Sequence, residues 1–230
     1  MTKLLHLSFL IFLLSIGVSC KKDDTTPNSV SNFETYFDLT PGRYIVYDVF
    51  EVFHDETALI KHDTSVYQLK TLVGDTITDN QGRIARKYIR SKRNTSSESW
   101  VITDVWTTII EGNRAELVEE NERIIKMMFP LSLSTKWNAN VFNPGNSLDC
   151  FYRNIHKPMQ LNGLQFDSIS TIDQENERNL IEYRRKYETY ANHVGMVIKF
   201  YKDLKISNFD TLNIKSGHEY KYTCIDFGIE

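Results

Sequence analysis

The chain of 230 residues sets 27 Lys and Arg against 30 Asp and Glu, a formal net charge of −3. That balance offers no basic surface for a polyphosphate and argues against nucleic acid as a partner. With 41% apolar and 25% charged residues, the composition is that of a folded globular chain rather than a disordered one.

Residues 1–19 have the layout of an export signal. Lys3 supplies the positive start, Leu4 to Ile16 is nearly continuous Leu, Phe and Ile, and Gly17-Val18-Ser19 precede Cys20. The run is short of the roughly 20 apolar residues that a membrane-spanning helix needs. Small residues followed at once by Cys20 resemble the lipobox of bacterial lipoproteins, although position 17 is Gly where that family usually has Leu. The resemblance implies cleavage before Cys20 and a diacylglycerol on its thiol, and hence an outer-membrane anchor. Lys21-Lys22-Asp23-Asp24, with the Thr, Pro, Asn and Ser that follow, is similar to the start of many Bacteroidetes lipoproteins. In some of these, Lys and two acidic residues after the Cys go with display on the outer face; the periplasmic face stays open as the alternative. Residues 20–32 are expected to be the lipidated Cys and a flexible tether, and 33–230 a single β-rich domain.

Setting Cys20 aside leaves Cys150 and Cys224, an even pair in an oxidising compartment. Both lie in aromatic, strand-like sequence, and we expect them to be bonded. The closed loop of roughly 75 residues would contribute about 4 kcal/mol by chain entropy.

The mature part reads mostly as strand. Tyr44–Phe53 is β-branched and aromatic and follows the turn Pro41-Gly42. Ser65–Val73 is a second strand ended by Gly74-Asp75, Ile84–Arg90 a third, and Trp100–Ile110 a fourth ended by Gly112-Asn113. Residues 114–128 fit an amphipathic helix or a hairpin; we expect the hairpin, Arg114–Glu119 and Arg123–Phe129 around Glu120-Asn121-Glu122. The segments Phe37–Tyr44 and Phe129–Trp137 share an aromatic, a Leu two residues on and a distal aromatic, consistent with two similar halves. Leu148–Ile155 and Gln165–Ile172 follow as strands, with Asp173–Asn179 as a charged turn. Leu180–Tyr190 reads equally as strand or helix, with Arg184-Arg185-Lys186 facing solvent. Met196–Tyr201 and His218–Phe227 close the chain.

Many short strands between regular turns predict a mainly β fold: an antiparallel curved sheet forming a sandwich or a barrel, whole or half, with few short helices. Three stretches carry a second resemblance: Phe129-Pro130-Leu131 with Trp137, Tyr190-Ala191 before Val194-Gly195-Met196-Val197, and Gly217-His218-Glu219-Tyr220. They look like a group of uncharacterised Bacteroidetes envelope lipoproteins. The resemblance implies the β architecture and the location, and no catalytic residue.

Motifs for chemistry are sparse. No His-Glu-x-x-His, Cys-x-x-Cys, nucleophile elbow or phosphate loop occurs, so no metal and no cofactor is expected. His54 and His62 are read as exposed loop residues. Glu119, Glu120 and Glu122, and Asp173, Glu175 and Glu177, are read as solvated turns, the second run with a weak calcium-like spacing. Arg83, Arg86, Lys87, Arg90, Lys92 and Arg93 form the strongest charge feature, a candidate contact for an anionic surface although a solvated strand face explains it better. Asp75-Thr76-Ile77, Asp167-Ser168-Ile169 and Asp210-Thr211-Leu212 are similar to Bacteroidetes O-glycosylation acceptors.

The expected function is a non-enzymatic binding domain on a membrane anchor. Its ligand would be a hydrophobic molecule or acyl chain if the sheet encloses an apolar cavity, and a glycan or protein if side chains fill the core. The alternative is a surface glycan hydrolase using facing carboxylates.

Overall fold

The structure, a computed structural model, describes residues 32–230, and residues 31–230 make one compact unit. The signal, Cys20 and most of the tether lie outside the described residues. A 3-10 turn, Asn32–Phe37, leads into twelve strands. They are β1 Arg43–Asp55, β2 His62–Thr78, β3 Ile84–Arg93, β4 Val101–Glu111, β5 Arg114–Glu119 and β6 Glu122–Met128, then β7 Lys136–Asn138, β8 Asp149–Leu161, β9 Leu164–Arg178, β10 Glu182–Ala191, β11 Gly195–Ser207 and β12 Asp210–Ile229. All pairings are antiparallel in one sheet of order β6-β5-β4-β3-β2-β1-β12-β11-β10-β9-β8-β7, nearly closed into a barrel.

Every chain-consecutive pair except β6 and β7 is hydrogen-bonded, and β1 pairs with β12 along its whole length, from Arg43↔Ile229 to Asp55↔Ser216. The chain is thus an up-and-down meander whose open seam lies in its middle. Local chemistry sets the hairpins. Glu120-Asn121, Asn162-Gly163 and Asn208-Phe209 all have positive φ at both turn residues, the two-residue geometry whose twist matches the flanking strands. Gly217 sits where β12 crosses β11: a Cβ there would lie 2.2 Å from the Asp203 carbonyl oxygen.

A strand edge with unpaired amides invites aggregation, and β6 answers this with surrogates for a neighbouring strand. The Ile125 N–H donates to Ala139 O at 3.0 Å, and the Trp137 indole N–H donates to Ile125 O at 3.1 Å. The Asn143 side-chain amide brackets Arg123, accepting from its N–H at 2.9 Å and donating to its carbonyl at 2.8 Å. The Tyr152 hydroxyl donates to Met128 O at 2.5 Å. Trp137, Tyr152, Ile125 and Met127 share one buried cluster with Tyr36, Phe37, Phe129 and Leu131. Both of the similar segments, 37–44 and 129–137, therefore feed the same cluster, one ahead of the central β1 and the other ahead of the edge strand β7.

Several expectations change. β2 does not stop at Gly74-Asp75 but passes through it on a register shift between Val73 and Thr76. The hairpin over 114–128 is present. Asp173–Asn179 is not a turn: β9 continues to Arg178 because its carboxylates meet the basic run of β10 across the ladder. Lys186 Nζ lies 2.8 Å from Glu175, Arg185 3.2 Å from Asp173, and Arg184 3.0 Å from Glu175. Two charge runs read as solvated thus neutralise each other, and these oxygens are taken by cations rather than free to ring a calcium ion. β11 and β12 extend to a hairpin at Asn208-Phe209. Cys150 and Cys224 are not bonded. Each is a buried free thiol, Cys150 in the cluster of Trp137 and Cys224 in a second one with Tyr47, Val197 and Phe166. Burial pushes both thiols up to about 12.

Trp137→Phe keeps an aromatic ring but leaves the Ile125 carbonyl without its donor. We predict a loss of about 2 kcal/mol in urea unfolding, with an unchanged far-ultraviolet dichroism spectrum at zero denaturant.

Candidate functional site in the barrel lumen

Hydrogen bonds between strands that are not neighbours mark the inner face. Lys126 of β6 reaches Glu188 of β10 at 2.6 Å, and the Tyr47 hydroxyl of β1 donates to Met196 O of β11 at 2.7 Å. Ladder registry extends these contacts into rows. Glu188 lies opposite Lys199, which lies opposite Tyr222. One step toward the far end, Lys186, Tyr201, Tyr220 and Glu51 form the next row. On β3 and β4, Tyr88 pairs with Trp106 and Arg90 with Asp104.

Glu188 is the most demanding group, a carboxylate whose side chain is 1% exposed. Lys126, 6% exposed, donates to Oε1, and the Tyr190 hydroxyl donates to Oε2 at 2.6 Å. Lys199 Nζ stands 4.0 Å from Oε1. Burial alone would raise the pKa of Glu188, but Lys126, Lys199 and the two hydrogen bonds outweigh it and hold the carboxyl below its ordinary value. Glu119 follows the same logic: burial opposes its charge, while Lys199 and Lys126 bring its pKa down. Lys199 mirrors them. Burial works against its ammonium, yet Tyr220, Glu119, Glu188 and Tyr222 raise its pKa well above the usual lysine value.

Aromatic rings fill the space between these charges. Tyr201 and Tyr220 stack with centroids 4.6 Å apart, and the ladder continues through Tyr222 to Tyr47 and through His218 to Phe53. Arg90 lies 4.3 Å over the Trp106 ring, and bonds Asp104 at 3.0 Å and the Tyr222 hydroxyl at 3.4 Å. What remains is a concavity of about 710 Å3 counted out to its open mouth, of which only about 60 Å3 is cavity that water can enter. Its lining includes the apolar Phe37, Leu39, Ile45, Leu69 and Leu117 and the charged Asp38, Arg43, Arg90, Glu119, Lys126, Glu188 and Lys199.

The basic cluster of the sequence does not assemble into one surface. Along β3 the side chains alternate. Arg90 enters the lumen, and Lys92 lies 3.6 Å over the Tyr67 ring. Arg83 is tied to Asp79 at 2.7 Å and to buried Glu116 at 3.2 Å, and Arg93 stacks 4.2 Å over Trp100 while donating to Gln68 at 2.8 Å. Arg86 and Lys87 occupy consecutive strand positions and so point to opposite faces. The histidines read as loop residues are strand residues: His54 Nδ1 meets His62 Nδ1 at 2.8 Å, and His54 Nε2 meets Glu219 at 3.1 Å. Among the described residues no group of three His, Cys, Asp or Glu is arranged to hold a metal. Of the glycosylation-like triplets, Thr76 is exposed on β2, whereas the Ser168 hydroxyl is engaged by Tyr36 at 2.5 Å.

The sequence reading missed Lys126, Glu188, Lys199 and Trp106 and placed Glu119 in a solvated turn. Lys126 sits between Ile125 and Met127, and Lys199 between Ile198 and Phe200. With apolar neighbours on both sides, strand alternation does not reveal which side faces inward.

No family model matches the chain, and no curated protein matches it. Among solved structures it is similar to a 2.70 Å crystal structure of a provisionally described lipoprotein from Parabacteroides distasonis, with 12% identity over 84% of this chain and 98% of that one. The TM-score is 0.42, a likeness that carries no argument about function.

Breaking a buried ion pair strands the remaining charge, whereas replacing both partners by apolar groups removes that penalty. Lys126→Met is therefore expected to cost about 3–5 kcal/mol in urea unfolding at neutral pH, and the double variant Lys126→Met with Glu188→Met to recover most of it. Because the folded-state pKa of Glu188 is depressed, its contribution is present above the ordinary carboxylate range and lost as pH falls through the folded value. The gap between wild type and Glu188→Gln should close in acid.

Proposed function

We propose that the mature chain is a non-enzymatic, membrane-tethered binding protein whose lumen receives a small polar solute. The anchor part of this reading rests on Cys20 and its flanking residues, and the binding part on the lumen. The observation that carries it is a small cavity, about 60 Å3, whose lining includes Arg90, Glu119, Lys126, Glu188 and Lys199 among apolar residues. Pockets for drug-sized ligands run to roughly 300–1,000 Å3 and are mostly apolar. An acyl chain would meet ionised groups here, in a space already filled by Tyr220, Tyr222, Tyr88 and Trp106. We therefore favour a small polar solute over the acyl chain of the carrier reading.

A hydrolase working on glycans has a weaker footing. That chemistry needs one carboxyl kept protonated near neutral pH as a general acid. Glu119 and Glu188, two of the carboxyls that line the cavity, are both shifted toward ionisation. Neither is poised to deliver a proton.

Native mass spectrometry of the protein purified from envelopes tests both parts. The expected result is a diacylglycerol-type mass increment that disappears in Cys20→Ala, together with a small polar adduct at most. A phospholipid that co-purifies with the Cys20→Ala protein would overturn the lumen reading.

A further inference from the structure

Three of the charge pairs around the cavity are internally complete. Asp38 bonds Arg43 at 2.9 Å, Asp104 bonds Arg90 at 3.0 Å, and Glu188 bonds Lys126 at 2.6 Å. Two charged groups that line the same cavity lack a hydrogen bond, although Lys199 lies 5.7 Å from the Tyr220 ring centroid and 5.9 Å from that of Tyr222. Among the described residues Lys199 makes no hydrogen bond, its nearest carboxylate oxygen being that of Glu188 at 4.0 Å, and Glu119 makes neither a hydrogen bond nor an ion pair. Both line one cavity, and no ion pair joins them. Lys199 is 19% exposed and Glu119 half-buried, so both meet the cavity rather than a protein hydrogen-bond partner, and a molecule carrying both charges answers the two at once.

Building on the lumen reading above, we infer that the cavity between Lys199 and Glu119 is a site for a small zwitterion, an α-amino acid of the size of glycine or alanine. Its carboxylate accepts from Lys199, with the Tyr222 hydroxyl and the Arg90 guanidinium on the same side; its ammonium donates to Glu119. Size and charge both select for this class. At roughly 10–15 Å3 of such space per water, about 60 Å3 holds on the order of five non-hydrogen atoms. A simple anion would leave Glu119 unanswered and add a third negative group beside Glu119 and Glu188. A simple cation would do the converse to Lys199. The wall around the site is Leu69, Leu117, Tyr88 and Trp106, which leaves little room for a large side chain.

The test is isothermal titration of the full chain with glycine and alanine, and in parallel with acetate, methylammonium, phenylalanine and galactose. Glycine and alanine should bind, phenylalanine should not, and Lys199→Met and Glu119→Gln should each weaken glycine by about tenfold or more, as expected for a lost charge-assisted hydrogen bond. Thermal melts establish which variants fold. Glu119 is half-buried near the β5–β6 turn, so Glu119→Gln and the wild-type ligand panel decide the matter even if Lys199→Met does not fold. Acetate binding as tightly as glycine, with Glu119→Gln indifferent, would overturn the zwitterion while leaving the lumen as a solute site. Galactose binding with glycine silent would do the same. If no probe binds, the zwitterion and the lumen reading both fall.

Discussion

Enclosing the Glu188 carboxylate is the constraint on which the rest of the barrel turns. An ion removed from water must be answered by donors placed around it, and one strand cannot supply them all. Tyr190 comes from the same strand two residues on, and Lys199 from the next strand. The third donor, Lys126, comes from β6 at the opposite edge of the sheet. That last contact requires the sheet to curl until its free edge faces β10. The seam bonds then fall into place: the Trp137 indole, the Asn143 amide and the Tyr152 hydroxyl hold the same strand from its other side. Curvature, closure and the polar lumen are thus consequences of one another.

The same packing explains why this interior is filled rather than hollow. A barrel of twelve strands is wide enough to hold a ligand, and the space it leaves is set by how its inward side chains fill it. Here they include Tyr, Trp, Lys, Arg and Glu, long or flat side chains, beside Leu, Ile and Phe. Their rings stack along β1, β11 and β12 and their charges pair across the walls. The space that survives is of the order of a few waters, lined by apolar and aromatic side chains with a few charged ones among them.

How much of this was legible in the sequence depended on the period of the signal. Strands with β-branched and aromatic runs, such as Tyr44–Phe53 and Trp100–Ile110, were readable, as was the hairpin over 114–128. Asn121 takes the positive φ that a two-residue turn requires. The extent of β9 was not readable, because Asp173, Glu175 and Glu177 look like a solvated turn until Arg184, Arg185 and Lys186 are known to lie opposite them. The lumen charges were hidden for a related reason. A Lys between two apolar residues marks a strand but does not say which side of it is inside, and that is decided by partners more than sixty positions away. The cysteines show the limit of counting: an even pair in strand-like sequence suggested a bond, yet the two thiols belong to separate clusters.

The ionisation of the two lumen carboxyls decides most directly between a binding lumen and a catalytic one. Carboxyl-carbon NMR of the protein labelled at glutamate, followed through an acid titration with Glu119→Gln and Glu188→Gln used for assignment, reads it residue by residue. The account predicts that both groups titrate below the ordinary glutamate range and are fully ionised at neutral pH. A resonance from either residue that remains protonated near neutrality would contradict it and would restore the case for a general acid.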